Sequence, residues 1–346
     1  MLVCRIYGAK DLRVESAPEP TPGPGEVLLK LGAGGICGSD MHYFLHGRAG
    51  DFVIREPLIP GHEASGTVAS VGSGVTQVKA GDKVVINPSH ACGSCKGCRA
   101  GRENLCENMR FLGSASVYPH MHGMFREFFL MPERQCIPLP ADVSLSELAF
   151  AEPLTVALHA VNRAQPVLGK NVLVTGAGPI GCLIVMAAKL AGAAEVVVAD
   201  VADKPLSDAR RVGADRCIRT DQIQGGPDAL RDAIGEPEVA LEAAGHPNAV
   251  ATCLASVARG GRIVQVGTLP PDGMHMLANQ IMARELDYVG TFRFGREFDW
   301  AVRYLTTGRV DVKPLLSAQY PLKDAVAAFR AAGDKTKSTK VQLVCS

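Results

Sequence analysis

The sequence reads Asn171-Val-Leu-Val-Thr-Gly176-Ala-Gly178-Pro179-Ile180-Gly181 at its centre, a β-branched strand that runs directly into a G-x-G-x-x-G turn. An apolar run over 182–191 follows and predicts a helix. In this order, Gly176 makes the tight turn, Gly178 lets the backbone approach a pyrophosphate, and Gly181 lets helix and strand pack closely. The pyrophosphate would meet the helix N-terminus. The pattern predicts a dinucleotide site; a glycine turn that binds no nucleotide is the alternative.

The next predicted strand ends in an acid that bears on the choice of dinucleotide. It reads Glu195-Val-Val-Val-Ala-Asp200, and Asp200 comes nineteen residues after Gly181. A carboxylate here suits the adenosine ribose hydroxyls of NAD and repels the extra phosphate of NADP. Lys204 and two arginines nearby leave some use of NADP open, but we expect NAD. The candidate cofactor contacts are Gly176, Gly178, Pro179, Ile180, Gly181, Asp200, Lys204, Val266 and Thr291.

The pattern of the chain changes near residue 153. Before it, Gly and Pro are frequent and short apolar runs such as 26–31 and 82–86 lie between turn residues, which predicts a barrel-like β domain. After it, strands and helices alternate, which predicts an α/β fold with a doubly wound parallel sheet. The expected strands are 171–175, 195–199, 215–218, 238–242, 261–267 and 286–291. A helix near 297–307 and an amphipathic run over 323–332 follow.

Four cysteines lie within fifteen residues in the first half of the chain. They are Cys92, Cys95, Cys98 and Cys106, spaced C-x2-C-x2-C-x7-C, and glycines beside them allow tight turns. Zn²⁺ binds four thiolates tetrahedrally, and a site with no open position is structural. Four unrelated cysteines or a disulfide pair are the alternatives. We predict a structural zinc lobe that does no chemistry itself.

A second set of candidate metal ligands differs in chemistry. It comprises Cys37, His62, Glu63 and Glu152. One thiolate, one imidazole and one carboxylate leave a coordination position for water or substrate, as a catalytic zinc requires. Taken singly, Cys37 could be a small buried hydrophobe and His62 a hydrogen-bonded loop residue. Together with the cysteine lobe and the glycine motif, the set predicts a catalytic zinc, with Glu63 or Glu152 supplying the carboxylate.

These three features together resemble the zinc-dependent medium-chain dehydrogenases of the polyol (sorbitol) type, over essentially the whole chain. The resemblance implies a GroES-like β-barrel catalytic domain at 1–152 and 293–346, and a Rossmann NAD-binding domain at 153–292. Nicotinamide and zinc are expected in the cleft between these domains, with two zinc ions per subunit. Several segments of this chain resemble the members of the family that oxidise sugar acids. They are 34–43, 86–89, 109–115, 149–154, 291–294, 333–336 and 340–343.

The expected chemistry is divided among a few residues. A hydroxyl bound to zinc becomes more acidic, and the nicotinamide accepts the hydride. Ser39 is expected to take the hydroxyl proton, and His42 to pass it to solvent through the cofactor ribose; a solvated loop histidine is the alternative for His42. Asp40 is expected to fix the tautomer of His62. The best-known zinc alcohol dehydrogenases carry cysteine where this chain has Glu152, so a stronger Lewis acid is expected here.

A sugar-acid substrate requires a cation for its carboxylate. Arginine suits this task because its planar fork bonds a carboxylate through two hydrogen bonds. The first candidate is Arg293 and the second is Arg110, with Phe111 and Tyr43 as flanking walls. Both arginines could instead be ordinary surface residues. The expected reaction is hydride transfer from a secondary alcohol of a sugar acid or polyol, and sorbitol, xylitol and L-threonine are the alternative substrates.

Bulk properties limit the remaining possibilities. The 346 residues suffice for two domains, and a net charge of +1 gives no reason to expect nucleic acid or an acidic membrane surface. Residues 1–15 lack the pattern of a signal peptide, no stretch is apolar enough to span a bilayer, and eleven cysteines suit a reducing compartment. We therefore expect a cytoplasmic enzyme. A catalytically dead binding relative and a zinc-free quinone reductase of the same fold are the alternatives, which the two ligand sets argue against.

Assembly follows from the last strand of the predicted parallel sheet. The apolar stretch 286–292 ends this sheet and would leave an open edge, which invites pairing with another chain. Members of the family that the chain resembles pair this edge across a two-fold axis. We therefore expect a homodimer, or a homotetramer built from such dimers.

Overall fold

The computed structural model describes residues 1–164, 166–270 and 272–345, and their contacts divide the chain into two compact units. The first comprises Met1–Glu152, Phe298–Asp334 and the chain from Lys340 onward; the second comprises Pro153–Glu297 and Lys335–Thr339. The resemblance put the second boundary between 292 and 293, and the structure puts it five residues later. The reason is local, since Glu297 is hydrogen-bonded to His159, and Thr339 to Asp208, both within the second unit.

The N-terminal part of the first unit is mainly β-structure. Its strands are β1 (Leu2–Gly8), β2 (Asp11–Ser16), β3 (Glu26–Gly35), β4 (Arg48–Ala49), β5 (Phe52–Val53), β6 (Glu63–Val71), β7 (Lys83–Ile86), β8 (Ser89–His90), β9 (Arg110–Phe111), β10 (Phe128–Pro132) and β11 (Cys136–Pro138). Its helices are α1 (Gly38–His46), α2 (Lys96–Arg99) and α3 (Leu145–Leu148). Single turns of 3-10 helix lie at Glu103–Leu105 and Glu133–Gln135.

Strands and helices then alternate, as the sequence predicts. After α4 (Ala151–Ala164) the strands are β12 (Asn171–Thr175), β13 (Glu195–Asp200), β14 (Arg216–Arg219), β15 (Val239–Glu242), β16 (Arg262–Gln265) and β17 (Asp287–Gly290). The helices between them are α5 (Pro179–Leu190), α6 (Asp203–Arg211), α7 (Gly226–Ile234), α8 (Pro247–Ser256) and α9 (Ala278–Ala283), with a 3-10 turn at Thr220–Gln222.

The chain ends in elements that complete the first unit. They are α10 (Glu297–Thr306), β18 (Leu316–Pro321), α11 (Ala325–Gly333) and β19 (Lys340–Val344), with 3-10 turns at Lys313–Leu315 and Leu322–Asp324. A seven-stranded sheet has the order β11-β7-β6-β3-β19-β18, and β10 also pairs with β3. Because β19 pairs with β3 (Leu343 opposite Gly34), residues more than 300 positions apart in sequence become neighbours. The predicted β domain is confirmed.

The second unit is built on a six-stranded, wholly parallel sheet of order β14-β13-β12-β15-β16-β17. Its central strands are runs of buried Val and Leu, which a sheet covered by helices on both faces requires. All six predicted strands are present with ends within two residues of those expected, and β17 lies at an edge, as predicted. No helix in the described ranges is long and apolar enough to cross a membrane.

Candidate metal centre and dinucleotide site

Two elements of the first unit bring chemistry-bearing side chains to one buried point. Strand β3 ends at Gly35 and the chain enters α1 through Cys37, while β6 begins at Glu63, directly after His62. The ligand atoms of Cys37, His62 and Glu63 lie within 4.8 Å of one another. His62 is 6% exposed and Glu63 is 1% exposed. The structure therefore gathers three of the four residues that the sequence suggests as ligands of a catalytic metal.

The close approach of β3 and β6 depends on a glycine. Gly35 lies opposite Glu63 in the antiparallel pair. A Cβ atom on residue 35 would lie 2.0 Å from Glu63 Oε2. A larger residue would push the carboxylate away, so glycine is required here by the position of the Glu63 side chain.

Asp40 anchors the backbone that carries two of these ligands. It is fully buried in the first turn of α1, and it accepts hydrogen bonds from the N–H groups of Cys37 (2.9 Å) and Gly61 (3.1 Å). Its Oδ1 lies 3.7 Å from His62 Nδ1, which is longer than a hydrogen bond. Burial raises the pKa of Asp40. Asp40 is therefore close enough to His62 to interact with it electrostatically. Its two hydrogen bonds fix the backbone at Cys37 and next to His62.

Lys340, the first residue of β19, completes the site and was missed by the sequence analysis. Its Nζ donates to Glu63 Oε1 (2.8 Å) and Oε2 (2.7 Å), and to the carbonyl of Ile36 at 3.3 Å. Burial alone would lower the pKa of Lys340, but Glu63 and Cys37 outweigh burial and raise it. Lysine is 3% exposed here at the head of a buried strand. That position was the available signal, because lysine is almost never fully buried unless it is paired.

The charge around this point favours a bound cation. Glu152, in the first turn of α4, is 6% exposed and lies outside the 4.8 Å group. Burial, with help from Glu63 and Cys37, raises the pKa of Glu152 to about 8, and burial raises that of the Cys37 thiol to about 12. Burial is the main cause of both shifts, and the neighbouring acidic groups add to it. A divalent cation would reverse them, and the mixed sulfur, nitrogen and oxygen donors fit Zn²⁺.

The four clustered cysteines form a separate site in the same unit. All eleven cysteines of the chain are free of disulfides, and the sulfur atoms of Cys92, Cys95, Cys98 and Cys106 lie within 4.8 Å of one another. The Cys92–Cys98 and Cys95–Cys98 sulfur separations are 4.0 and 3.5 Å. Thiolates about 2.3 Å from a tetrahedral Zn²⁺ are separated by about 3.8 Å. The geometry fits a structural zinc, and it does not fit a disulfide, whose sulfurs are about 2 Å apart.

Backbone hydrogen bonds prepare this lobe for thiolates. The N–H of Cys98 donates to Cys95 Sγ (3.5 Å), and the N–H of Cys92 donates to Cys106 Sγ (3.3 Å). A hydrogen bond from the N–H of Ser94 is the main cause that lowers the pKa of Cys92, to about 5. Metal binding requires thiolates, so these hydrogen bonds favour the form that binds zinc at Cys92 and Cys95, whereas burial raises the pKa of Cys98 to about 12.

The glycine motif of the second unit has the geometry that its spacing predicts. Gly176 has φ +89°, and Gly178 is the N-cap of α5, followed by Pro179 in its first turn. A Cβ on Gly181 would lie 1.8 Å from the carbonyl oxygen of Gly176, whereas no atom lies within 4 Å of a Cβ placed on Gly178. Space therefore remains beside Gly178 at the helix N-terminus, where a pyrophosphate would bind. Ile180 lies in the first turn of the same helix.

Asp200 is fixed against this turn at the end of β13. Its Oδ2 accepts from the N–H of Ala177 (2.7 Å), and its Oδ1 accepts from the N–H groups of Val201 (2.7 Å) and Ala202 (3.0 Å). The carboxylate therefore lies beside the glycine turn, as a ribose-binding acid must.

The other candidate cofactor contacts differ in their hydrogen-bond partners. Lys204 is paired with Asp208 on the next turn of α6 and also donates to Thr339. The N–H of Val266 donates to the carbonyl of Glu242, just beyond β16. Thr291 follows β17, and its Oγ1 is a buried oxygen without a hydrogen-bond partner among the described residues. An unpartnered buried hydroxyl fits a position that a cofactor covers.

The remaining catalytic and substrate candidates of the first unit lie on α1 and β9. Ser39 is half-buried in the first turn of α1, and His42 is exposed with its ring 5.9 Å from that of His46. The ring of Phe111 is buried 5.6 Å from that of His62. Arg110 is exposed, and its Nε lies 3.0 Å from the sulfur of Met121.

Tyr43, which was predicted to form a wall of the substrate site, is buried in the core of the first unit. It is 2% exposed within the core formed around Leu58 and Phe125, and its hydroxyl accepts from the N–H of Ala115 at 3.0 Å. Its contacts are those of a packed core residue, and its role as a substrate wall stays a prediction.

Arg293 has an unusual backbone in the second unit. Its φ is +51°, a left-handed value that non-glycine residues rarely adopt, and its guanidinium lies 4.9 Å from the centre of the Phe292 ring. A backbone of this kind costs free energy and tends to occur where a side chain must be aimed.

Comparisons with known proteins agree with this geometry. The alcohol dehydrogenase GroES-like domain matches residues 23–141, and the zinc-binding dehydrogenase domain matches residues 179–307. The chain is 42% identical to the L-idonate 5-dehydrogenase (NAD(P)(+)) of Escherichia coli K12, over 99% of this chain and 98% of the relative. It is 38% identical to the sorbitol dehydrogenase of Gallus gallus, over 98% of this chain and 95% of the relative.

A solved structure is similar over the same span. The crystal structure of L-idonate 5-dehydrogenase from Escherichia coli matches with a TM-score of 0.94 and 41% identity, over 99% of this chain and 98% of that one. The β domain therefore is a GroES-like domain, and the second unit has the Rossmann-like parallel sheet. The chain belongs to the zinc-dependent medium-chain dehydrogenases, in the branch that acts on polyols and sugar acids.

Proposed function

We propose that this enzyme oxidises a secondary alcohol of a sugar acid with NAD as the hydride acceptor, and that its reaction is L-idonate to 5-keto-D-gluconate. The observation that carries the proposal is the buried Cys37, His62 and Glu63 donor set in a chain 42% identical to an L-idonate 5-dehydrogenase along its length. Sorbitol, xylitol and L-threonine are the competing substrates.

The proposed cofactors are NAD and two zinc ions per chain. The four-cysteine lobe would hold the structural zinc, and Cys37 and His62 would hold the catalytic one together with Glu63 or Glu152. When bound, the catalytic zinc makes the substrate hydroxyl more acidic and the nicotinamide accepts the hydride. The chain's own residues then have to manage a proton and orient the substrate.

We propose that residues of α1 remove the proton of the substrate hydroxyl and release it to solvent. Ser39 lies two residues after Cys37 and is half-buried, so its hydroxyl suits removal of the substrate proton. His42, one turn further along the same helix, is exposed and suits release of that proton to solvent. Asp40, between them, keeps the backbone of Cys37 in place and contributes a negative charge near His62.

The substrate carboxylate is assigned to Arg293, with Arg110 as second choice. An arginine pairs with a carboxylate through two hydrogen bonds, and the left-handed backbone at Arg293 is the kind of strain that functional positions retain.

A substrate panel tests the proposal. L-Idonate, sorbitol, xylitol and L-threonine would each be offered with NAD and with NADP, and kcat/KM measured from the absorbance of the reduced cofactor. The proposal expects L-idonate with NAD to give the highest value by a wide margin. A higher kcat/KM on sorbitol, xylitol or threonine would reject the proposal that the substrate is a sugar acid. If none of the four alcohols were oxidised, the proposed dehydrogenase activity would be rejected.

A pair of variants tests the role of Arg293. Arg293→Ala is expected to cost the L-idonate reaction about 2–3 kcal/mol in kcat/KM, the scale of a lost charge-assisted hydrogen bond, and to cost a neutral polyol less. The exposed neighbour Arg296→Ala serves as the control and is expected to change neither reaction. Equal losses on the acid and the polyol would mean that Arg293 does not bind the carboxylate.

A further inference from the structure

Three aspartates of the second unit pair with two cations, Arg219 and Lys204, that lie close to Asp200 in the sheet or in the sequence. Asp200 and Arg219 end the neighbouring strands β13 and β14, and they are directly paired in the register of the sheet. Thr220, the next residue, donates its hydroxyl to the carbonyl of Asp200 at 3.4 Å. Lys204 lies in the first turn of α6, which follows β13. Arg219 is thus the sheet partner of the acid that is expected to contact the adenosine ribose, and Lys204 follows that acid by four residues.

Arg219 is held by two aspartates. Its Nη1 lies 2.7 Å from Asp203 Oδ2, and its Nε and Nη2 lie 2.7 and 3.1 Å from the two oxygens of Asp221. Hydrogen bonding to Asp221, then to Asp203, raises the pKa of Arg219. All three nitrogens of the Arg219 guanidinium are therefore in contact with carboxylates of this chain.

Lys204 is held by a third aspartate. Asp208, one turn along α6, is 1% exposed and bonds to the Lys204 ammonium and to the hydroxyl of Thr339. Arg211 adds a weaker contact to Asp208 at 3.4 Å. A buried carboxylate needs such partners, so Lys204 is committed to Asp208 by the cost of leaving that carboxylate unpaired.

NADP differs from NAD by a phosphate on the adenosine ribose, which requires a cation with free hydrogen-bond capacity. We propose that Asp203, Asp221 and Asp208 are cofactor-selecting residues, because they occupy Arg219 and Lys204 and so deny the phosphate a partner. This inference rests on the proposed use of NAD and extends it. Asp200 repels the phosphate directly, whereas these three aspartates act at a distance through the cations.

Direct binding tests the inference without relying on turnover. Dissociation constants for NADH and NADPH would be measured by fluorescence titration of the purified enzyme. The double variant Asp203→Asn with Asp221→Asn frees Arg219 and alters two partly or fully exposed side chains, so the fold is expected to survive. NADPH is expected to bind about tenfold more tightly, the scale of one charge-assisted hydrogen bond, and NADH to change by less than about twofold.

Two further variants separate selection from general charge. Adding Arg219→Met to the double variant is expected to abolish the gain for NADPH. Asp228→Asn, at an exposed aspartate paired with Arg231 on α7, changes the net charge in the same direction and is expected to leave the ratio of the two dissociation constants unchanged.

A separate variant tests the role of Lys204. Asp208→Asn is expected to strengthen NADPH binding relative to NADH, because it weakens the hold on the Lys204 ammonium.

The outcomes are distinguishable. If wild-type enzyme does not bind NADH, the proposed function fails. If NADH binds but the double variant leaves the NADPH-to-NADH ratio unchanged, the inference alone is overturned. A gain that persists without Arg219, or that Asp228→Asn reproduces, also overturns it, because long-range charge would then be the cause.

Discussion

At the residue scale, Lys340 offsets the negative charge of Glu63 at the candidate metal centre. Both groups are at least 97% buried, and the ammonium contacts both carboxylate oxygens. A buried ion pair contributes little net stability, but removal of one partner leaves an uncompensated charge that costs about 3–5 kcal/mol. Lys340 therefore supports the fold whenever no cation stands near Glu63.

Replacement of Lys340 tests this role. Lys340→Met is expected to lower the melting temperature of metal-free protein strongly, since Glu63 is left buried without a partner, and added Zn²⁺ is expected to recover more of the loss than in wild type. Differential scanning calorimetry with and without Zn²⁺ measures both effects. Lys323→Met, an exposed lysine, is the control. Equal recovery in variant and wild type would show that Lys340 and the metal do not share Glu63.

The candidate metal ligands could be proposed from sequence, but the residues that pair with them could not. Cys37, His62 and Glu63 are unusual residue types in a recognisable order, so the chain alone suggests a metal site. Lys340 reaches Glu63 only because β19 pairs with β3 across some 300 residues, and no local pattern encodes that pairing. The same holds for Asp208, whose partner Thr339 lies 131 positions away.

At the element scale, the buried carboxylate of Glu297 is held by two side chains of α4, within the second unit. Glu297 Oε1 accepts from His159 Nδ1 and Asn162 Nδ2, both at 3.0 Å, and its Oε2 accepts from the N–H of Gly295 at 2.9 Å. Burial alone would raise the pKa of Glu297, but these hydrogen bonds outweigh it and hold the pKa at about 2. The ionised form of Glu297 is therefore the one that these hydrogen bonds stabilise.

The pH dependence of stability follows from this shift. Because the folded pKa is below the ordinary value of 4.5, Glu297 stabilises the fold above about pH 4.5, and the contribution is lost as pH falls through 2. Glu297→Gln is expected to cost about 2–3 kcal/mol at pH 7, with the difference from wild type shrinking below pH 4.5. Urea unfolding at several pH values measures it. A difference that stays constant down to pH 3 would contradict this account.

A chain of hydrogen bonds links Tyr288 of β17 to the carboxyl ends of β16 and β15. Tyr288 donates its hydroxyl to Gln265 Oε1 (2.6 Å), and Gln265 Nε2 donates to Glu242 Oε2 (2.5 Å) and to the carbonyl of Gly267 (2.7 Å). Glu242 in turn accepts from the N–H groups of Ala244 and Gly245. The network fixes the loops that follow β15 and β16, on the side of the sheet where α/β proteins bind ligands.

Removal of one hydroxyl tests this network. Tyr288→Phe is expected to cost about 1 kcal/mol, or about 2–4 °C in melting temperature, because Gln265 Oε1 loses its donor. NADH binding is expected to weaken by a few-fold, since the loops beyond β15 and β16 lose support. The exposed Tyr118→Phe is the control. Loss of stability with unchanged NADH affinity would confine the network to a structural role.

Periodic elements are where sequence prediction performed best. The six strands of the parallel sheet are apolar runs between turn signals, so their places follow from composition and spacing. The boundary between units was harder to predict, because it depends on the side chains of Glu297 and Thr339. Their partners lie on helices far away in sequence.

At the scale of the whole molecule, we propose that the chain assembles through the open edge at β17. Strand β17 pairs only with β16 in the sheet of the described residues, and an edge of this kind favours pairing with a second copy. We expect light scattering to give the mass of a dimer or tetramer. Val289→Lys on this edge is expected to lower that mass, and Val201→Lys, at an exposed position elsewhere on the unit, is expected not to. A monomeric wild type would contradict the proposal.

The two metal sites are expected to differ in lability, and this difference is testable on the intact enzyme. The candidate site of Cys37, His62 and Glu63 offers three donors, one of them a carboxylate, and would leave a coordination position open, whereas the lobe at 92–106 would surround its metal with four sulfurs. Metal analysis is therefore expected to find two zinc ions per chain, and a mild chelator to remove one together with all activity. The lobe is then expected to resist trypsin at Arg99 and Arg102 until the second zinc is lost. Cys106→Ser is expected to be cut there without any chelator. Active protein that contains one zinc or none would contradict the two-zinc proposal, since at least one of the two donor sets would then hold no metal.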